Sequence, residues 1–109
     1  MMIRMLFPLI LAGVVTSSLP ALAQDQKQEL AALMRLSALS DVCPLSTSAD
    51  EEEALEDEIN EVGDDLGLKD ADLEAMFQAT RKDVDQQKVA LCAAEGPAAL
   101  AAIKKLARE

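Results

Sequence analysis

Carboxylates and two cysteines are the residues of this chain whose types and spacing could do chemistry. The segment from Asp50 to Leu66 holds ten carboxylates and no basic residue, and Cys43 and Cys92 lie on either side of it. None of the 109 residues is a histidine, which excludes Ser-His-Asp and Cys-His catalysis. The four glycines are scattered, so the chain has no glycine-rich phosphate loop.

The many carboxylates do not by themselves predict acid–base catalysis. A catalytic carboxylate pair needs an environment that raises the pKa of one member while the other stays ionised. Carboxylates on one solvated helix have no cleft that would separate their pKa values in this way. We therefore expect that the protein is not an enzyme, has no catalytic residue and uses no cofactor.

A calcium loop of the EF-hand type can be tested against the two glycines of the acidic segment. Such a loop needs acidic residues at positions 1, 3 and 5, glycine at position 6 and glutamate at position 12. With Gly63 at position 6, Glu58 is first, but Lys69 falls at position 12. With Gly67 at position 6, Val62 is first. The sequence predicts no metal site, and diffuse binding of divalent cations by the carboxylates is the third functional hypothesis.

The first residues have the pattern of a secretory signal peptide. Residues 1–4 contain one arginine, residues 5–15 are almost wholly apolar, and Ala21-Leu22-Ala23 places small residues at positions −3 and −1. Cleavage is expected between Ala23 and Gln24. Because the apolar run is shorter than the ~20 residues that span a bilayer, we expect no stable membrane insertion.

The predicted export favours a disulfide between the two cysteines. Two cysteines in an exported chain most simply form one disulfide, here Cys43–Cys92, whereas a reactive pair would more typically have CxxC spacing. The chain then consists of a signal peptide, residues 1–23, and a single helical domain, residues 24–109. The predicted location is the periplasm or the cell exterior.

Helical periodicity predicts an all-α fold, a small four-helix bundle stapled by the disulfide. No alternating β-branched run and no hairpin turn is present. The predicted helices span residues 28–42, 50–66, 69 or 70 to about 95, and 97 to about 108. Gly96-Pro97 is read as the boundary between the last two helices, because proline favours the first position of a helix. Cys92 would then lie near the end of the third helix.

The second helix has the clearest start and stop signals. Its apolar residues recur at i, i+4, i+7 and i+11, which gives one narrow stripe: Leu55, Ile59, Val62 and Leu66. Ser48 and Glu51 fit a capping box at its start. Gly67 is the better candidate for its C-terminal cap, although Gly63 could bend or end it earlier.

The charge of the predicted domain restricts its partners. Residues 24–109 hold nine basic and twenty acidic residues and therefore have a net charge of −11. Nucleic acid and anionic membrane surfaces would be repelled, and cationic proteins or peptides would be attracted. Like-charged i, i+4 pairs on the acidic helix oppose its folding by roughly 1–2 kcal/mol in total.

Three explanations fit this density of charge: solubility, pairing with the net-positive segment 81–109, and a docking face. The leading functional hypothesis is a non-enzymatic protein-binding module, similar in outline to small inhibitor and immunity proteins. It would meet a cationic partner of the cell envelope through an acidic face formed by Glu53, Asp57, Glu61, Asp64 and Asp65.

The runner-up hypothesis comes from a resemblance in architecture. In size after cleavage, helix content and the wide separation of Cys43 and Cys92, the chain resembles the HdeA-type acid-stress chaperones of the periplasm. The resemblance implies a protein that opens in acid and binds clients through exposed apolar helix faces. Below about pH 4 the carboxylates would become neutral, which fits such a transition.

Overall fold

The computed structural model describes residues 24–109, and the predicted signal peptide, residues 1–23, lies outside the described residues. Four helices follow one another with short connections, and the described part contains no strand. They are α1 (24–42), α2 (Ala49–Asp65), α3 (Asp70–Gln86) and α4 (Lys88–Arg108). The predicted all-α, four-helix fold is confirmed.

Side chains from all four helices form the core. One cluster of buried residues brings together Leu30, Leu33, Met34, Leu55, Ile59, Val62, Leu73 and Ile103. A second cluster contains Ala38, Leu39, Cys43, Val84 and Ala99. No polar or charged residue of the described part is buried. The apolar stripe of α2 thus packs inward as its periodicity predicts, and this leaves the carboxylates of α2 on its remaining surface.

Both ends of α2 are fixed by local hydrogen bonds. The Ser48 hydroxyl accepts the Glu51 N–H at 3.2 Å, and the Glu51 carboxylate accepts the Ser48 N–H at 2.8 Å, so the predicted capping box is present. At the other end Gly67 has φ +74°, and its N–H donates to the Asp64 carbonyl at 3.0 Å. The Leu68 N–H donates to the Gly63 carbonyl at 2.9 Å, which completes a Schellman motif.

Replacing Gly67 by alanine should lower the free energy of unfolding by about 1–2 kcal/mol. A Cβ atom disfavours the left-handed conformation that Gly67 adopts, and no neighbouring atom would compensate, because the space around that Cβ is open. Gly67→Asn is the matched control and should cost clearly less, since asparagine tolerates this conformation. Urea denaturation measures both values. Equal stability of the alanine variant and the parent would contradict the prediction.

Gly63 does not end α2; it lets the helix approach α3 closely. Gly63 is buried, and a Cβ atom built on it would lie 2.9 Å from Cδ2 of Leu73. Because real carbon atoms do not approach so closely, only glycine fits here without a shift of the Leu73 side chain. The last turn of α2 is thereby held against the first turn of α3.

The predicted boundary at Gly96-Pro97 is wrong. α3 ends at Gln86, Gln87 turns the chain with φ −120° and ψ 28°, and α4 continues through Pro97. The restriction that proline imposes on the preceding residue involves that residue's Cβ, which Gly96 lacks. Burial then favours the continuous helix, because Gly96, Ala99 and Ile103 form its inward side.

The predicted disulfide is confirmed, although its position in the bundle differs from the prediction. Cys43 and Cys92 are bonded, with their Cα atoms 5.5 Å apart. Cys43 directly follows α1, and Cys92 lies in the second turn of α4 instead of near the end of the third helix. The bond therefore ties the end of the first helix to the beginning of the last.

Candidate functional site

The predicted acidic face lies on the solvent side of α2. Its five members, Glu53, Asp57, Glu61, Asp64 and Asp65, are all exposed. At 3.6 residues per turn, Asp57 and Asp64 point away from the buried Leu55 and Ile59. Within residues 24–109 none of the five forms an ion pair. These carboxylates therefore remain available to a partner.

A second acidic row of α2 borders a groove that sequence reasoning did not find. Glu52 and Glu56, followed by Asn60, line one side of an open cavity of about 470 Å³ between α1, α2 and α3. The carboxylates around its rim come from all three helices: Asp41, Glu52, Glu56, Asp70 and Glu74. Its floor is apolar and consists of Met34, Leu55, Ile59, Leu73 and Phe77. An apolar floor and an acidic rim thus occur together in this groove, where three helices meet.

Most of the rim charge is not neutralised within residues 24–109. Asp41 forms an ion pair with Arg81 of α3, whereas the other four rim carboxylates have no cationic partner in the described part. Glu74 accepts one hydrogen bond from the neutral Gln78 side chain at 2.9 Å. Four negative charges consequently surround the groove.

The floor contains the single aromatic residue of residues 24–109. Phe77 is half-buried and packs against both core clusters. The other four floor side chains, Met34, Leu55, Ile59 and Leu73, are at most 8% exposed. A ligand would therefore meet a preformed apolar surface in which Phe77 is the most exposed side chain, with little rearrangement of the core.

Three ion pairs connect the helices across the described part. Arg35 of α1 makes two hydrogen bonds, of 2.8 and 2.6 Å, to the Glu95 carboxylate of α4. Lys104 of α4 lies 3.1 Å from a carboxylate oxygen of Glu51 in α2. The third is the pair of Arg81 and Asp41, which links α3 to α1. The net-positive segment 81–109 thus neutralises one carboxylate of α2 and leaves the acidic face unpaired.

Two of the glutamates in these ion pairs have a lowered pKa. Glu95 has a lowered pKa because its ionised form accepts the hydrogen bonds of Arg35. The pKa of Glu51 is lowered first by the hydrogen bond from the Ser48 backbone and then by Lys104. Both carboxylates lie near the surface, so their contribution to stability is screened by water and salt.

The pKa of Glu58, about two turns along α2 from Glu51, is shifted in the opposite direction. Partial burial raises its pKa, and the negative charges of Glu61, Glu29, Glu109 and Asp65 raise it further. Within residues 24–109, however, no three aspartate, glutamate or cysteine side chains are grouped so that they could hold a metal ion. The group around Glu58 is a region of charge repulsion.

None of the helices in the described part is both long enough and apolar enough to cross a membrane. Comparison with known proteins does not identify the chain: no protein-family model, no curated protein and no solved structure matches it.

Proposed function

We propose that the protein is a small, non-enzymatic binding module that docks a cationic protein or peptide through the acidic surface of α2. The observation that supports this most directly is the unpaired state of the acidic face. Five exposed carboxylates on one helix have no cationic partner within residues 24–109, although nine basic residues are present there. Such a surface attracts and orients a cationic partner over long distances.

The proposed location is the periplasm or the cell exterior. The signal-peptide pattern of residues 1–23 supports it, and the disulfide Cys43–Cys92 is consistent with an oxidising compartment. The partner would then be a cationic protein or peptide of the cell envelope.

Binding to a labelled octalysine peptide should be strong at low salt and should weaken steeply as salt is added. Between about 0.01 M and 0.15 M salt the screening length falls from about 30 Å to about 8 Å. The triple variant Glu53→Gln, Asp57→Asn, Glu61→Gln should lose about tenfold in affinity at low salt. Fluorescence anisotropy measures both effects.

A control of equal net charge separates a docking face from a general charge effect. The variant Asp25→Asn, Asp83→Asn, Asp85→Asn removes three exposed carboxylates that lie outside α2. Compared at about 0.15 M salt, where the screening length is only about 8 Å, this control should lose clearly less affinity than the triple variant on α2, because charges beyond that length contribute little. Equal losses in the two triple variants would contradict a docking face on α2.

A second candidate function, the acid-opened chaperone, is favoured by one specific observation. Each of the three ion pairs between helices contains one carboxylate. Acid neutralises these carboxylates and leaves Arg35, Arg81 and Lys104 charged, so every one of these links weakens together. No comparable observation favours the hypothesis of divalent-cation binding.

The pH dependence of stability should have a maximum in mild acid. Glu58 has a folded-state pKa above its ordinary value of 4.5, so stability rises as pH falls from neutral and Glu58 gains its proton. Glu51 and Glu95 have folded-state pKa values below 4.5, so their contribution is lost as pH falls further through those values. Thermal unfolding from pH 7 to pH 2 should therefore show a rise and then a fall.

Two single variants test which glutamates cause the rise and the fall of stability as the pH is lowered. Glu58→Gln should flatten the rise above the maximum, and Glu95→Gln should reduce the fall below it. For the chaperone function, an apolar dye should bind only in the acid range, together with suppression of client aggregation. A protein that remains folded and dye-free at pH 2 would exclude that function.

A further inference from the structure

We infer that the groove between α1, α2 and α3 receives a cationic segment that also carries an apolar anchor side chain; this inference rests on the proposed function. The groove is defined by the apolar floor around Phe77 and the five rim carboxylates described above. The groove would be the part of the acidic surface that holds the partner. The partner would need both basic and apolar side chains.

The arrangement of the rim favours the groove over the outer face. Glu52 and Glu56 border it from α2, whereas Asp70 and Glu74 border it from α3. A basic segment lying between the two helices would therefore have carboxylates on both sides. On the outer face Glu53 and Asp57 belong to one convex helix surface, where a partner meets carboxylates from one side only.

The apolar floor would add apolar contact to the binding of a partner, which ion pairing alone does not provide. A cavity of about 470 Å³ falls within the range of about 300–1,000 Å³ that is typical of ligand pockets. One leucine, methionine or phenylalanine side chain that enters it would contact Phe77 and the buried apolar side chains beneath. Lysine and arginine fit the border, because their methylene stems can cover apolar surface while their charged ends reach the rim.

The net charge of the chain favours a cationic segment in the groove over a second copy of the chain or an anionic lipid surface. A second copy would bring a further net charge of −11, and an anionic lipid surface would meet the same repulsion. A cationic amphipathic helix has the required chemistry, because basic and apolar side chains three or four residues apart lie on one face. The occupant is therefore a segment of a cationic partner with lysine or arginine about one turn from an apolar residue.

Two labelled peptides of equal charge test the inference on the intact, oxidised protein. Both are 14-residue helical peptides with five lysines, and they differ only in two anchor positions, which hold leucine in one peptide and alanine in the other. The leucine peptide should bind about tenfold more tightly, since burying the larger side chains adds apolar contact. Fluorescence anisotropy at constant salt gives both dissociation constants.

A pair of matched variants locates the binding. Glu52→Gln, Glu56→Gln removes two carboxylates at the groove, and Glu53→Gln, Asp57→Asn removes two from the outer face of the same helix. The groove variant should weaken binding of the leucine peptide by about five- to tenfold, and the outer-face variant by about twofold.

The outcomes separate this inference from the proposed function. If the two peptides bind equally tightly, or if the outer-face variant loses as much as the groove variant, the groove inference is overturned while a cationic docking function stands. If neither peptide nor octalysine binds the parent protein at low salt, the proposed function fails as well.

Discussion

Replacing Cys43 and Cys92 together by alanine should lower the free energy of unfolding by about 4 kcal/mol. The bond joins residues 49 positions apart, and closing a loop of this length removes about that much conformational entropy from the unfolded chain. A small single domain typically has only about 5–15 kcal/mol of stability. The variant should therefore be close to its unfolding transition at 37 °C.

Urea denaturation followed by circular dichroism measures this loss. The m-value should rise along with the loss of stability, because the unfolded chain without the bond exposes more surface. Reducing the parent protein is the matched control and should reproduce the same loss without substituting any residue. A loss below about 1 kcal/mol would show that packing and the pair of Arg35 and Glu95 hold α1 against α4 without the bond.

The disulfide also bears on the proposed binding surface. The bond fixes the end of α1 to α4, and α1 contributes Met34, Ser37 and Asp41 to the groove. The acidic face of α2 contains no residue of α1. The cysteine variant should consequently bind the leucine peptide less tightly, whereas its affinity for octalysine should change little.

Local signals in the sequence predicted the parts of the fold that local physics determines. The start of α2 at Ser48 depends on side chains three residues apart, and its end at Gly67 depends on one backbone conformation. The disulfide followed from the count of cysteines. The groove could not be predicted, because Asp41, Asp70 and Glu74 lie on other helices, and their distance from Glu52 depends on how the helices pack.

Pro97 is where a local signal and tertiary packing disagree. Glycine followed by proline is typical of the end of one helix and the beginning of the next. In the structure Gly96, which has no Cβ, is buried together with Ala99 and Ile103, so the buried side of the helix continues across Pro97. Pro97 is left inside α4, where it has no N–H to donate to the preceding turn.

Replacing Pro97 by alanine should therefore raise the free energy of unfolding by about 2 kcal/mol. A proline in a helix interior costs about 3 kcal/mol relative to alanine. Against this, alanine makes the unfolded chain more flexible, which costs up to about 1 kcal/mol. Urea denaturation of the oxidised protein measures the difference, and helicity should not fall.

Pro44→Ala is the matched control for Pro97→Ala. Pro44 lies in the exposed connection between α1 and α2, where it interrupts no helix. Only the unfolded-state effect applies there, so Pro44→Ala should lower stability by up to about 1 kcal/mol. The two substitutions should thus have opposite signs. If Pro97→Ala also lowers stability, Pro97 begins a separate helix, and the helix boundary that the sequence predicts at Gly96-Pro97 would be correct.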